Sequence, residues 1–311
     1  MDLVAVLGVE FFAATVRMAS PVLYATMGGI LNERAGIINI GLEGVMLTGA
    51  LTGVVVSFYT GDPWLGFAAA AVAGGLVALV HAFLSISLEA NQIVSGAAIN
   101  IACLGLTSFV IRILFGLKEQ QRTVPHFVPS HVPVLSDIPV IGPIFFAQNV
   151  VVYAAYALVP LLAFVLYRSR WGLVIIASGE HPRAADTMGI DPNRVRYVCT
   201  VLSGVAGGAG GASLSLGQLH FFVDDMTGGR GFMALAALIF GRWDPVGGLV
   251  ACLLFGAADA LQFRIQATGV NIPYQFMLML PYVLTLVVLV IFMARARGPA
   301  AIGVPYRREA A

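Results

Sequence analysis

Apolar positions in this chain fall in long blocks separated by short polar or turn-forming stretches. The blocks occupy 18–31, 37–59, 65–88, 92–116, 148–167, 197–217, 231–241, 246–265 and 275–294. A helix needs about 20 apolar residues to cross roughly 30 Å of hydrocarbon, so most of these blocks read as membrane spans. Several are too short to cross alone. The pattern predicts an all-α polytopic membrane protein of about eight to ten transmembrane helices, some short or broken, forming one domain over 1–311. Ahead of the first block, Val4 to Arg17 mixes Glu10 and Arg17 with apolar residues; it either lies at the interface or opens the first span.

Composition sharpens this picture. Hydrophobic residues make up 59% of the chain and charged ones 11%, against about 45–50% and about 25% in soluble domains. Little length is left for a soluble domain. The net charge of +1 excludes a nucleic-acid partner, which would ask for a clustered basic face. Cys103, Cys199 and Cys252 all sit within apolar blocks, as small hydrophobes do, and their spacing suits neither a disulfide framework nor a metal site. The start, Met1-Asp2-Leu3-Val4, lacks a basic n-region, so no removable signal peptide is expected.

Basic residues orient the spans, because cytoplasmic connections carry excess Lys and Arg. Arg168, Arg170, Arg183, Arg194 and Arg196 fall in one connection, and Arg295, Arg297, Arg307 and Arg308 in the tail from 295 to 311. Both clusters are expected in the cytoplasm, which requires an even number of crossings between 197 and 294. Four blocks lie there. Counting backwards puts the N-terminus outside and makes Leu117–Gln148 the largest outer connection. Pro125, Pro129, Pro133, Pro139 and Pro143 fill it. A covering spacer is the favoured reading of this loop over a docking surface. Its two histidines, His126 and His131, are too few for a metal site.

Local chemistry is sharpest between 168 and 196. Pro182 suits a first helical position, Gly189 a helix stop, and Asp191-Pro192 the cap and first residue of the next helix. These signals predict a short helix over 182–188 bearing Glu180, His181, Arg183 and Asp186. On local grounds it is equally a partner-docking surface and a solvated loop. Gly204, Gly207, Gly208, Gly210 and Gly211 follow, a small-residue face that reads as tight helix packing. Polar residues within the blocks are costly unless they meet a partner or a wet cavity; they are Asn39, Glu43, Ser95, Asn100, Gln218, Asp259 and Gln262. Gly36 and Gly41 around Asn39 predict a broken helix, the kind that lines transport paths. Asp259 and Gln262, three apart, share a face.

Absent motifs narrow the function. The one lysine, Lys118, follows Leu117, so there is no phosphate-binding Gly-Lys-Ser/Thr loop. Any ATP that drives this protein is bound elsewhere. Neither His-Glu-x-x-His nor Gly-x-Ser-Gly occurs, which removes the usual signatures of an intramembrane hydrolase.

Several stretches together resemble one family. They are Asn32-Glu33-Arg34-Ala35-Gly36-Ile37-Ile38-Asn39-Ile40-Gly41-Leu42-Glu43-Gly44, Ala90-Asn91-Gln92-Ile93-Val94-Ser95-Gly96, Gly179-Glu180-His181-Pro182-Arg183-Ala184-Ala185-Asp186, and Thr227-Gly228-Gly229-Arg230-Gly231-Phe232 leading to Gly241-Arg242-Trp243-Asp244-Pro245. In content and order they are similar to the permeases of branched-chain amino acid, ribose and nucleoside ABC importers, and the first is similar to the nucleoside and simple-sugar branch. The resemblance implies a non-enzymatic transport subunit of a bacterial inner membrane. It makes Glu180, His181, Pro182, Arg183, Ala184, Ala185, Asp186 and Gly189 the coupling segment seated on an ATPase subunit, which binds Mg-ATP; this chain itself needs no cofactor. It further implies a second, paralogous permease and an external binding lipoprotein of the basic-membrane-protein type. Asn39, Glu43, Ser95, Asn100 and Gln218 are the candidates for the substrate path, with a simple-sugar importer as the alternative to a nucleoside importer.

Overall fold

The first helix, α1 (Val9–Arg34), is 26 residues long, about 39 Å at 1.5 Å per residue. Glu10 and Arg17 lie on it, so the described part of the mixed segment belongs to the first helix. The computed structural model describes residues 8–116, 122–130, 133, 135–267 and 298–307, with isolated positions between 275 and 287. Most of the 275–294 block, Lys118, His131, Arg295, Arg297 and Arg308 therefore lie outside the described residues.

Helix α2 (Leu42–Thr60) starts five residues later than its apolar block, because 35–41 leaves helical geometry at Gly36, whose φ is +96°. The predicted break is thus present. Next come α3 (Pro63–Ala82), which runs on into one π turn over Phe83–Ser87, and α4 (Gln92–Phe115). Side-chain oxygens of Asp62 and Asn91 accept the first free amides of these two helices. After the proline-rich connection, α5 (Val150–Arg168) is capped by Asn149. It is followed by α6 (Arg170–Glu180), α7 (Pro182–Thr187) and α8 (Pro192–Leu214), the last extended by a π turn over Ser215–Leu219. The predicted short helix ends one residue early, and Gly189 stops it in the left-handed region. Asp191 caps α8 as expected.

Helix α9 (Arg230–Phe240) spans 11 residues, about 16 Å, and α10 (Pro245–Ala267) closes the described helices. Six of these elements are long and apolar enough to cross a membrane: 42–60, 63–87, 92–115, 150–168, 192–219 and 245–267. Helix α1 has the length but carries charge at both ends, and α9 is a half-helix. Ile101, Leu106, Phe109 and Ile113 are exposed along α4, as side chains facing lipid are.

Helix α8 sits at the centre, packed against α1, α2 and α3. Its glycines make that possible. Gly204 and Gly208 meet the backbone of α3 at Ala70 and Gly74, Gly211 meets α2 at Met46, and Gly210 approaches the carbonyl of Pro21 on α1. No apolar solvation force draws helices together in lipid, so close backbone contact carries the association. The tight-packing reading of these glycines holds, on three sides of the helix.

The 168–196 connection and the described part of the tail, 298–307, lie at one end of the bundle, since Ala301 donates to the Gly179 carbonyl at the end of α6. Arg196, however, is no solvated charge. It is 1% exposed, and its guanidinium donates to the carbonyls of Ala35 and Val304. We expect Gly208→Ala to lower stability by about 1–3 kcal/mol through overpacking, and Gly105→Ala, whose added methyl meets nothing, to leave it unchanged. Thermal melting of the detergent-solubilised chain compares the two.

Candidate functional site

The break between α1 and α2 is held by side chains from four helices. Asn32 donates to the Ile37 carbonyl and accepts from the Thr200 hydroxyl. Gln92 accepts the Ile38 amide at 2.8 Å, and a His81 ring nitrogen lies 2.9 Å from the Ile38 carbonyl. The other ring nitrogen meets Ser95. Asn100 ties both strands of the turn, accepting from the Gly44 amide and donating to the Ile40 carbonyl. Among the predicted path residues, Asn100 therefore bonds the break itself, and Ser95 reaches it only through His81. Asn39 is buried within it, with neither side-chain polar atom hydrogen-bonded.

Glu43 lies in the first turn of α2 and faces the start of α9. Its carboxylate accepts the Gly229 amide at 2.8 Å and the Gly231 amide at 2.6 Å. Gly228 and Gly229 both have positive φ, which turns the chain sharply enough to aim these amides at one oxygen pair. A carboxylate at a helix N-terminus also suits the helix dipole. Between those amides, Arg230 pairs with Asp259 of α10 at 3.4 Å.

That pair borders a cavity of about 610 Å³, also lined by Gln218, Gln262 and Tyr282. The structure thus brings Gln218, Asp259 and Gln262 together, away from Asn39, Ser95 and Asn100. Arg230, His220 and Gln148 join the lining; the quoted Thr-Gly-Gly-Arg-Gly motif held the signal for Arg230, and nothing in the sequence marked the other two. One wall carries Phe127 and Pro129 of the stretch 122–130, which is held by hydrogen bonds from the Val124 amide to the His220 carbonyl and from the Phe127 amide to the Leu216 carbonyl. His126 stacks on His220 with ring centroids 3.7 Å apart. Burial and the neighbouring His126 ring push the His220 imidazole below its ordinary value. A second cavity, about 680 Å³ and including Leu162, Ile175 and Val198, is almost wholly apolar and offers a polar ligand nothing.

At the opposite end lies the predicted coupling segment. His181, Arg183, Ala184 and Gly189 are exposed, Pro182 is partly exposed, and Ala185 is buried. Glu180 and Asp186 are turned to the tail: Glu180 accepts the Ala300 amide, and Asp186 accepts the Tyr306 hydroxyl at 2.9 Å. Met188, which the sequence did not single out, is 82% exposed. The tail continues to the break, where Gly303 donates to the Gly36 carbonyl. Two distant motifs also meet here, as the Trp243 indole donates to Glu33 and Arg34 donates to the Trp243 carbonyl.

Glu43→Ala should cost at least about 2 kcal/mol by stranding two buried amides, while Glu43→Gln, which keeps an acceptor, costs less; melting temperature and amide exchange at Gly229 and Gly231 read both. The His220 shift predicts a pH effect. Its folded pKa lies below the unfolded value of about 6.5, so the stack is fully stabilising above that pH and weakens as pH falls through the lowered value. Amide exchange at Val124 and Phe127 should accelerate on acidification, and His220→Asn, which tolerates the φ of +68°, should abolish that dependence.

A family model described as "Branched-chain amino acid transport system / permease component" matches residues 11–293. The guanosine ABC transporter permease protein NupQ of Bacillus subtilis is 41% identical, covering 98% of this chain and 98% of that protein. The nucleoside ABC transporter permease protein NupC of Lactococcus lactis is 38% identical, covering 93% of each. A putative glucose ABC transporter permease protein, TsgC13 of Haloferax volcanii, is 43% identical over 82% of this chain and 77% of its own length. With a family model spanning the helices, the break and both ends of the half-helix, this chain belongs to the branched-chain amino acid transport system permease component family.

Proposed function

We propose that the chain is the permease subunit of a bacterial ABC importer for nucleosides, driven by ATP hydrolysis on a separate subunit. The observation that carries this reading is the near-complete coverage of two relatives named for guanosine and for nucleosides. Free sugar is the second reading, favoured by the relative named for glucose. A second permease, an ATPase subunit carrying Mg-ATP and an external binding lipoprotein complete the assembly. In this reading the end bearing α7 and the tail faces the cytoplasm, and substrate enters from the end bearing 122–130.

The exposed residues His181, Arg183, Ala184 and Met188 then contact the ATPase. Movement of α7 passes to the tail through Glu180 and Asp186, and from the tail to the break through Gly36 and Arg196. Coupling of this kind needs two arrangements whose balance the nucleotide biases. Asn39, Glu43, Ser95 and Asn100 lie where that rearrangement would be felt, and Gln218 lies on the substrate side.

The test is uptake of radiolabelled guanosine, ribose and glucose in cells carrying the complete transporter, at matched membrane levels. Nucleoside uptake is expected, and Arg183→Glu combined with Met188→Glu should reduce it at least tenfold. Uptake of glucose or ribose alone would move the substrate to sugars; full activity of the double variant would remove α7 from the coupling path.

A further inference from the structure

Gln262 is a buried polar side chain of α10 that opens onto a cavity. It is 5% exposed, yet it makes no hydrogen bond among the described residues and is not sealed off, because it lines the 610 Å³ cavity with Asp259 and Arg230. Its amide atoms are not sealed in protein but open to the cavity, so whatever fills the cavity is what they bond to. Asn100, Asn149 and Gln148 have protein partners, and Asn39, which has none, is enclosed in the break rather than open to a cavity. Gln262 is aimed at space.

The cavity has the makings of a ligand site. Its volume falls within the usual range of about 300–1,000 Å³. Phe127, Phe263 and Tyr282 supply flat aromatic surface, while Gln218 and Gln262 supply amides. The Nε2 of Gln218 is held by the Arg17 carbonyl at 2.8 Å, which fixes that side chain. Arg230 and Asp259 neutralise each other, so the floor presents no net charge; Arg17 stands exposed at the rim. A neutral solute with one flat face and a hydrogen-bonding edge satisfies all of this. A charged solute would find no counter-charge on the floor.

We infer that this cavity, inside a single permease chain, is a holding site for a nucleoside, and that Gln262 reads the polar edge of the base. A carboxamide offers two donors and an acceptor, the reciprocal of the paired donor and acceptor on a nucleobase edge. The aromatic side chains take the faces of the ring. The inference rests on the nucleoside reading above, and it adds a location and a recognising residue to it.

The experiment is Gln262→Met, close in volume and without the amide. Two readouts are taken on the full chain: melting temperature in detergent, and guanosine uptake kinetics by the complete transporter in proteoliposomes, with guanine, ribose and glucose as competitors. A structural glutamine predicts a lower melting temperature and an unchanged KM. The holding site predicts the reverse: an equal or higher melting temperature, and a KM for guanosine raised at least fivefold with expression unchanged. Guanine should compete better than ribose in wild type and lose that advantage in the variant. An unchanged KM in a transporter that does carry guanosine would overturn the site and leave the proposed function standing. Wild-type transport of glucose but not guanosine would overturn both.

Discussion

The carboxylate of Glu43 joins two places where the backbone leaves helical geometry inside the bundle. Hydrocarbon offers no water to free amides, so a non-helical stretch there persists only if protein satisfies it. The break at 35–41 and the loop ahead of α9 are such stretches. Glu43 follows the first directly and accepts two amides from the second. One side chain therefore fixes the start of α2 against the start of α9, and with it the position of Arg230 over Asp259. The cavity floor depends on that joint.

At the other end, the tail does comparable work between separate elements. It lies across the end of α6, the short helix α7 and the Gly36 turn, and the buried guanidinium of Arg196 holds the Ala35 and Val304 carbonyls together. A helix of six residues has too few internal hydrogen bonds to hold its own orientation. Its attachment to the tail through Asp186 and Tyr306 supplies that orientation. Displacement of α7 and deformation of the break are thus linked by short, direct contacts rather than through the length of a span.

Much was legible in the residue order. The blocks of apolar residues place the spans, Asp191 marks a helix start, Gly189 marks a stop, and Gly36 with Gly41 marks the break. These signals are local: each needs only the residues within a turn or two to act. The glycine face of α8 was also legible as packing, because small residues at helical spacing have few other uses in lipid.

What the sequence alone determined, then, is the membrane class, the spans, the caps, the short helix and the family motifs. Only the tertiary structure decided which motifs meet: Glu33 and Arg34 with Trp243, and Glu43 with Gly229 and Gly231. It also buried Arg196, counted along the chain among the basic residues of the cytoplasmic connection, and separated Gln218 and Gln262 from Asn39, Ser95 and Asn100. The physical reason is that a polar side chain in a membrane is defined by its partner, and these partners lie from about 50 to more than 200 residues away in sequence, where local spacing carries no information.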